Sequence, residues 1–267
     1  MQSDFEALEA KTKALLAQWT TRIGTRNHQA NRFTDVIAHD FGLVQLSSGT
    51  YINASFCCDK TYIATQSPIP YSYNDFWQMA YETHSLVIVA LCNRLTDQYW
   101  PYDNSNGVYG KFQVHHVGTE KVSDDLIIRT FNVFVLPESR KSPFFNSYKE
   151  LPVSELPQET LKTVKHYHFL GWPDARTPSN IVDFEKMVEL LSHYEGRMIV
   201  HCTAGVGRSG TLISILEMIK LKKKGKLEQF DLNEFVLSLR QARSPMMVET
   251  IDQYSFVKNY RDKLLSS

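Results

Sequence analysis

The sequence predicts a single α/β domain, in detail an α+β arrangement, with a central twisted mixed sheet flanked by helices. Three observations lead there. The first half carries short runs rich in β-branched and aromatic residues, bounded by turn residues. The second half carries apolar residues at spacings of three and four. Within it, "MIVHCTAGVGRSGTLISIL" reads as a short buried strand, a glycine-rich loop and a helix. With 267 residues, 43% of them hydrophobic, the chain has enough apolar material for one sizeable core spanning 1–267.

The elements follow in order. "SDFEALEAKTKALLAQW" opens with a capping box, Ser3 and Glu6, and predicts an N-terminal helix within residues 1–24. "TYINASFCC" and "TYIATQ" read as strands, "NDFWQMAYETH" as a short helix starting at Asn74, and "LVIVALC" as a buried strand. "KFQVHHV", "LIIRTFNVFVL" and "TVKHYHFL" are further strands. Between the last two, residues 137–160 form a long connection of the kind that is usually functional or mobile, here read as an inserted loop. "NIVDFEKMVELLSHY", "TLISILEMIKL", "DLNEFVLSLRQAR" and "TIDQYSFVKNYRDKLL" read as helices, with "MIVHC" a strand between the first two.

Composition narrows the function. Twenty-nine basic and 29 acidic residues cancel, so global charge does not direct the chain to nucleic acid or anionic membranes, and any anion site is local. The four cysteines, Cys57, Cys58, Cys92 and Cys202, form no CxxC pair. That argues against a disulfide framework and for a reducing, cytoplasmic setting. The N-terminus lacks the pattern of a secretory signal, and "LVIVALC" is too short to span a bilayer. "KLKKKGK", Lys220 to Lys226, is a basic cluster at a predicted helix C-terminus, where cations suit the dipole.

The stretch "VHCTAGVGRSG" carries the chemistry. Gly205 and Gly207 let the chain curl so that successive N–H groups converge at a helix N-terminus, which makes an anion-binding nest. The same field favours a thiolate at Cys202. Arg208 can return to the loop and grip two oxygens of a tetrahedral anion, and Ser209 can donate to the sulfur. A Walker A loop is excluded because the GK[ST] ending is missing. No further ligands at zinc spacing accompany Cys202, and His166 and His168 alternate on one strand without a third ligand, so neither a metal nor a cofactor is expected. Phosphoryl transfer to sulfur needs an acid for the leaving oxygen. "GWPDARTP" supplies Asp174, between stiffening Pro173 and Pro178 and beside an anchoring Trp172.

With these residues in view, the sequence resembles the tyrosine-specific protein tyrosine phosphatases. "NRFTDV", "YINAS", "YIATQSP", "NDFWQM", "QYWP", "WPD", "VHCTAGVGRSGT" and "ETIDQY" occur in the family's order. The resemblance implies Cys202 as nucleophile, Arg208 as phosphate binder, Asp174 as general acid and then base, and Gln253 as the residue that positions water. It implies Phe33 and Asp35 as the phosphotyrosine recognition loop, and the loop residues Thr203, Ala204, Gly205, Val206 and Gly207 as the phosphate cradle. Phosphotyrosine proteins are the implied partners. The chain departs from the family in five places, one of them the 137–160 connection, which exceeds the family's usual short one. Phe33 replaces the usual Tyr, and Glu249, near the water site and the bound substrate, replaces the usual Gln. "CNRLTDQYWP" is shorter than the family's loop, leaving Asp97 as a candidate partner for Arg208, and Ala175 follows the acid where many members have a bulky residue. A non-catalytic phosphotyrosine-binding module and a phosphoinositide phosphatase stand as alternative readings. The neutral Thr203, Ala204 and Val206 count against the second.

Overall fold

The structure is a computed structural model that describes residues 2–92, 97–142 and 147–266. In chain order the elements are α1 (Gln2–Leu15), α2 (Arg22–Arg26), β1 (Leu43–Gln45), β2 (Tyr51–Cys57), β3 (Tyr62–Thr65), α3 (Tyr73–Glu82), β4 (Val87–Ala90) and β5 (Asn106–Tyr109). They continue as β6 (Phe112–Lys121), β7 (Leu126–Val135), β8 (Lys162–Phe169), α4 (Ile181–Ser192), β9 (Met198–His201), α5 (Gly207–Lys223), α6 (Leu232–Ala242) and α7 (Ile251–Ser266). The described strands form one sheet in the order β1-β2-β3-β9-β4-β8-β7-β6-β5. Its centre, β3-β9-β4-β8, is parallel, and both wings are antiparallel.

Of the central strands, β4 (VIVA) and β9 (MIVH) read as nearly continuous apolar runs because both faces are covered. Alternation sorts them: Val87, Val89 and Leu91 face one core with Met198, Val200 and Cys202, against Phe184, Leu212 and Val257 of the surrounding helices. Ile88 and Ile199 face the other core, with Phe76 and Trp77 of α3. β9 is thus flanked on both edges and both faces, so the loop at its end starts from a fixed support.

Several expectations are corrected. Ser3 lies inside α1 instead of capping it, and Glu6 accepts from Gln2 Nε2 at 2.8 Å. The N-terminal helix stops at Leu15. A tight 3₁₀ turn follows, the chain extends at Trp19, and α2 begins with its free amides at Arg22 and Ile23 donating to Asp40, each at 3.0 Å. β1 and β5 had no forecast: the first is only three residues long and the second, "NGVY", contains a glycine. The described part of 137–160 is anchored at two points. Leu151 and Leu156 bury against Phe134 and Leu136, and Gln113 forms a reciprocal pair of bonds with the Leu151 backbone. Residues 143–146 of that segment, and 93–96 of the shortened loop, lie outside the described residues.

Candidate active site

The strand β9 delivers Cys202 to a buried position, 3% exposed, and α5 starts five residues later at Gly207. The loop between them is tied on three sides. Ser67 N–H donates to Thr203 O at 3.0 Å, and Leu91 N–H donates to His201 O at 2.8 Å. Arg243, fully buried, donates from Nε to Gly205 O (3.3 Å), from Nη2 to Ala204 O (3.2 Å) and from Nη1 to Asn53 Oδ1. This guanidinium holds the carbonyls of Ala204 and Gly205 on one side, while the Gly205 N–H turns to the Cys202 sulfur, in keeping with an anion nest.

Gly205 is obligatory here, and Gly207 is closely approached. Gly205 has φ +74°, and a Cβ on it would stand 2.0 Å from Thr65 O in the neighbouring strand. Its N–H reaches the Cys202 sulfur at 3.2 Å. A Cβ on Gly207 would meet Gln253 Oε1 at 2.8 Å and Glu249 Oε2 at 2.9 Å, so the segment before α7 closes directly over the helix start. Ser209 does not supply the expected bond to sulfur. Its Oγ is buried with no hydrogen-bond partner among the described residues, and the donor to sulfur is the Gly205 amide.

Arg208 is 2% exposed and its fork turns back into the loop. Nη1 donates to Trp172 O at 3.0 Å, and Nη2 donates to Thr203 Oγ1 at 2.7 Å and Asp174 Oδ1 at 2.6 Å. Nε is buried and has no acceptor among the described residues. A buried guanidinium N–H without an acceptor is costly, and an oxyanion in the cleft satisfies it. Asp174 is carried by a loop that Trp172 anchors from the core, fully buried, with Nε1 donating to Arg176 O at 2.7 Å. Ala175, next to the acid, sits at φ +55°, a conformation a larger β-branched residue adopts only with strain.

These groups line one cleft of about 240 Å³. Phe33, 37% exposed, and Asp35 form its rim. Cys202, Thr203, Ala204, Val206, Gly207 and Arg208 form its base, with Asp174 on one wall and Glu249 and Gln253 on another. The rim segment is fixed from behind: Arg32 Nε donates to Ser67 O at 3.0 Å, and Asn53 Nδ2 donates to Val36 O at 2.8 Å. Asp97 pairs with Arg32 Nη2 at 2.9 Å, while the contacts of the Arg208 fork go to Asp174, Thr203 and Trp172. Arg208 is the one cation among the described residues lining the cleft, against the carboxylates of Asp35, Asp174 and Glu249. Partial burial, then the Asp174 charge, push the Glu249 carboxyl above the ordinary carboxylate range; Arg208 opposes and Asp35 adds.

Sequence reasoning missed four contributors. Val36 and Met246 complete the cleft lining, and Arg243 orients the loop. Tyr99 sits behind His201, with its hydroxyl 2.6 Å from His201 Nε2 and 2.8 Å from His166 Nε2, all three fully buried. A hydroxyl has one proton, so it donates to one ring and accepts from the other. His201 Nδ1 lies 3.3 Å from Cys202 O, and His166 Nδ1 meets no partner. The assignment that leaves no buried donor unpaired runs from His166 Nε2–H to Tyr99, from Tyr99 to His201 Nε2, and from His201 Nδ1–H to the Cys202 carbonyl. "QYWP" and "QARSP" held the signals, but nothing local says which loop a Tyr or Arg will reach.

A strand delivering a buried Cys to a loop at a helix N-terminus, with a returning Arg and a facing Asp, is an arrangement suited to binding a phosphate ester. Residues 27–261 match the family described as protein-tyrosine phosphatase, and the chain belongs to that family. It is 31% identical over 256 residues to human receptor-type tyrosine-protein phosphatase H, covering 87% of this chain and 21% of the relative. It is 33% identical over 219 residues to tyrosine-protein phosphatase 2 of Dictyostelium discoideum, covering 77% of this chain and 52% of that protein. The chain therefore spans about a fifth to a half of the length of these curated relatives. Among solved structures, the catalytic domain of human protein tyrosine phosphatase non-receptor type 18 superposes with a TM-score of 0.82 at 26% identity, over 98% of this chain and 95% of that one. A complex of PTPN18 with HER2 phosphopeptides also superposes with a TM-score of 0.82, over 99% of each chain.

Proposed function

We propose that the chain hydrolyses phosphotyrosine in proteins by two displacements through a phosphocysteine. The observation that carries this is the meeting of a buried sulfur, held by a loop amide, with a guanidinium whose Nε has no acceptor, in one cleft. Cys202 attacks phosphorus in line while Asp174 protonates the leaving phenol. Water then cleaves the thiophosphate and returns Cys202. Phe33 at the rim offers a ring on which the substrate ring stacks, and the depth of the cleft favours phosphotyrosine over the shorter phosphoserine. Asp35 at the same rim is set to accept from the substrate backbone. Thr203, Ala204, Gly205, Val206 and Gly207 supply the phosphate cradle, and Gln253 braces the loop that carries Asp174, its Nε2 donating to Arg176 O at 3.3 Å.

Phosphotyrosine proteins are the proposed partners, in line with the phosphopeptide complexes of PTPN18. Signalling is the proposed setting. Among the described residues no helix is long and apolar enough to cross a membrane, and all four cysteines are free, which supports a reducing cytoplasmic location. The test is kinetic. Wild-type protein should release phosphate from phosphotyrosine peptides and not from phosphoserine peptides or soluble phosphoinositides, and Cys202→Ser should bind the peptide without turnover. Near-normal turnover by Cys202→Ser would exclude the mechanism, and peptide binding without turnover by the wild type would leave a binding module.

A further inference from the structure

We infer that Glu249 is the base that activates water in the second displacement, so that two carboxylates divide the proton transfers of one cycle: Asp174 serves the leaving phenol and Glu249 the incoming water. This rests on the phosphocysteine mechanism proposed above.

Position comes first. Glu249 lines the same cleft as Cys202, and its Oε2 lies against Gly207, the first residue of α5, where the free helix amides gather. The backbone on either side holds it there. Glu249 N–H donates to Gln253 Oε1 at 3.1 Å. The preceding Val248 sits at φ +55°, with its carbonyl held by Arg240 Nη2 at 3.3 Å. Among the described residues the Glu249 carboxylate itself has no hydrogen bond or ion pair, so its lone pairs face the cleft.

The competing groups are committed elsewhere. Gln253 is fully buried, with Oε1 taken by the Glu249 amide and Nε2 directed at Arg176 O. Asp174 is ion-paired to Arg208 at 2.6 Å. Glu249 faces Asp174 and Asp35 across the cleft, with Arg208 the opposing cation and Cys202 below. Partial burial first, then the charges of Asp174 and Asp35, raise its affinity for a proton against the opposing Arg208, which suits a base.

The step balances. Water oxygen bonds to phosphorus, one water proton passes to the Glu249 carboxylate, and the sulfur–phosphorus bond breaks with its electron pair going to Cys202. The products are a thiolate, hydrogen phosphate and a neutral Glu249, with no change in total charge.

Rapid-quench kinetics with p-nitrophenyl phosphate separate the steps, because this leaving phenol is acidic enough to need little protonation. Glu249→Gln keeps size and polarity but cannot accept the proton. It should give a full nitrophenol burst, accumulate acid-stable label on Cys202, and break down phosphocysteine about 100-fold more slowly than wild type. Asp174→Asn should show no such accumulation with this substrate, yet be slow with a phosphotyrosine peptide. The acid limb in the pH profile of phosphocysteine breakdown should disappear in Glu249→Gln. Glu249→Gln turning over as fast as wild type or faster, without a burst, would make the carboxylate merely repulsive and overturn the inference. Accumulation in Asp174→Asn alone would overturn it too. No label on Cys202 in any variant would remove the phosphocysteine mechanism itself, a distinct failure.

Discussion

Replacing Gly205 by Ala tests how the loop around Cys202 is shaped. Two costs are readable from the geometry. The left-handed φ of +74° costs a non-glycine residue about 1 kcal/mol. The added methyl would also stand 2.0 Å from Thr65 O and 2.3 Å from Thr65 C, backbone atoms of a central strand. Thr65 cannot yield. It pairs with Ala54 and His201 on its two edges, and its hydroxyl donates to Asn53 O at 2.8 Å. The loop must move instead, by roughly 1 Å, at an overpacking cost of about 1–3 kcal/mol. The sum is a loss of about 2–4 kcal/mol. The moving amide is the one that reaches the sulfur at 3.2 Å, so nitrophenyl phosphate turnover should fall about 100-fold, the penalty of a misplacement on the order of 1 Å. Gly49→Ala is the control. Its φ is +75°, but nothing lies within 4 Å of the new Cβ, so it should lose only about 1 kcal/mol and keep full turnover. Urea denaturation and steady-state kinetics on both variants decide the matter. If Gly205→Ala loses no more than Gly49→Ala and turns over within twofold of wild type, the steric account of the loop is wrong.

The buried histidines give two further expectations. Tyr99→Phe leaves a His166 donor and a His201 acceptor without their shared partner in a dry site, which should cost about 1–3 kcal/mol in urea denaturation; an unchanged midpoint would contradict the relay. Stability should also depend on pH through His168 and His201, since burial pushes them from the ordinary 6.5 to about 4 and about 3. Below pH 6.5 the unfolded chain takes up protons that the folded chain refuses, so stability is full above that pH and is lost progressively as pH falls towards 4. Between pH 7 and pH 5 the loss should be on the order of 4 kcal/mol, each histidine shifting the balance by about 1.5 pH units. Denaturation midpoints that coincide at the two pH values would refute it.

Local contiguity explains what could be read in advance. Cys202, Gly205, Gly207 and Arg208 fall within seven residues, and the turn, the nest and the helix start are all consequences of short-range backbone geometry. β4 and β9 were legible because buried parallel strands demand nearly continuous apolar runs, and β2 and β3 from their β-branched and aromatic residues. α4 and α6 were legible from their apolar stripes, and their N-caps Asn180 and Asp231 accept from the third residue on, as side chains of that type should. Ser3 and Glu6 matched the same local pattern and failed, because α1 already runs through Ser3.

The chain order of residues alone therefore pointed to a mixed sheet flanked by helices, a cysteine loop at a helix N-terminus, and Cys202 and Arg208 as candidate site residues. Only the tertiary structure decided what surrounds them. It brought Arg243 from the end of α6 to the loop carbonyls, Tyr99 to the back of His201, Gln253 to the Asp174 loop and Glu249 to the mouth of α5. The physical reason is one of range. Backbone curl and helix polarity are set within a few residues, whereas a long side chain's partner depends on which distant segments the packed sheet and helices bring within about 3 Å.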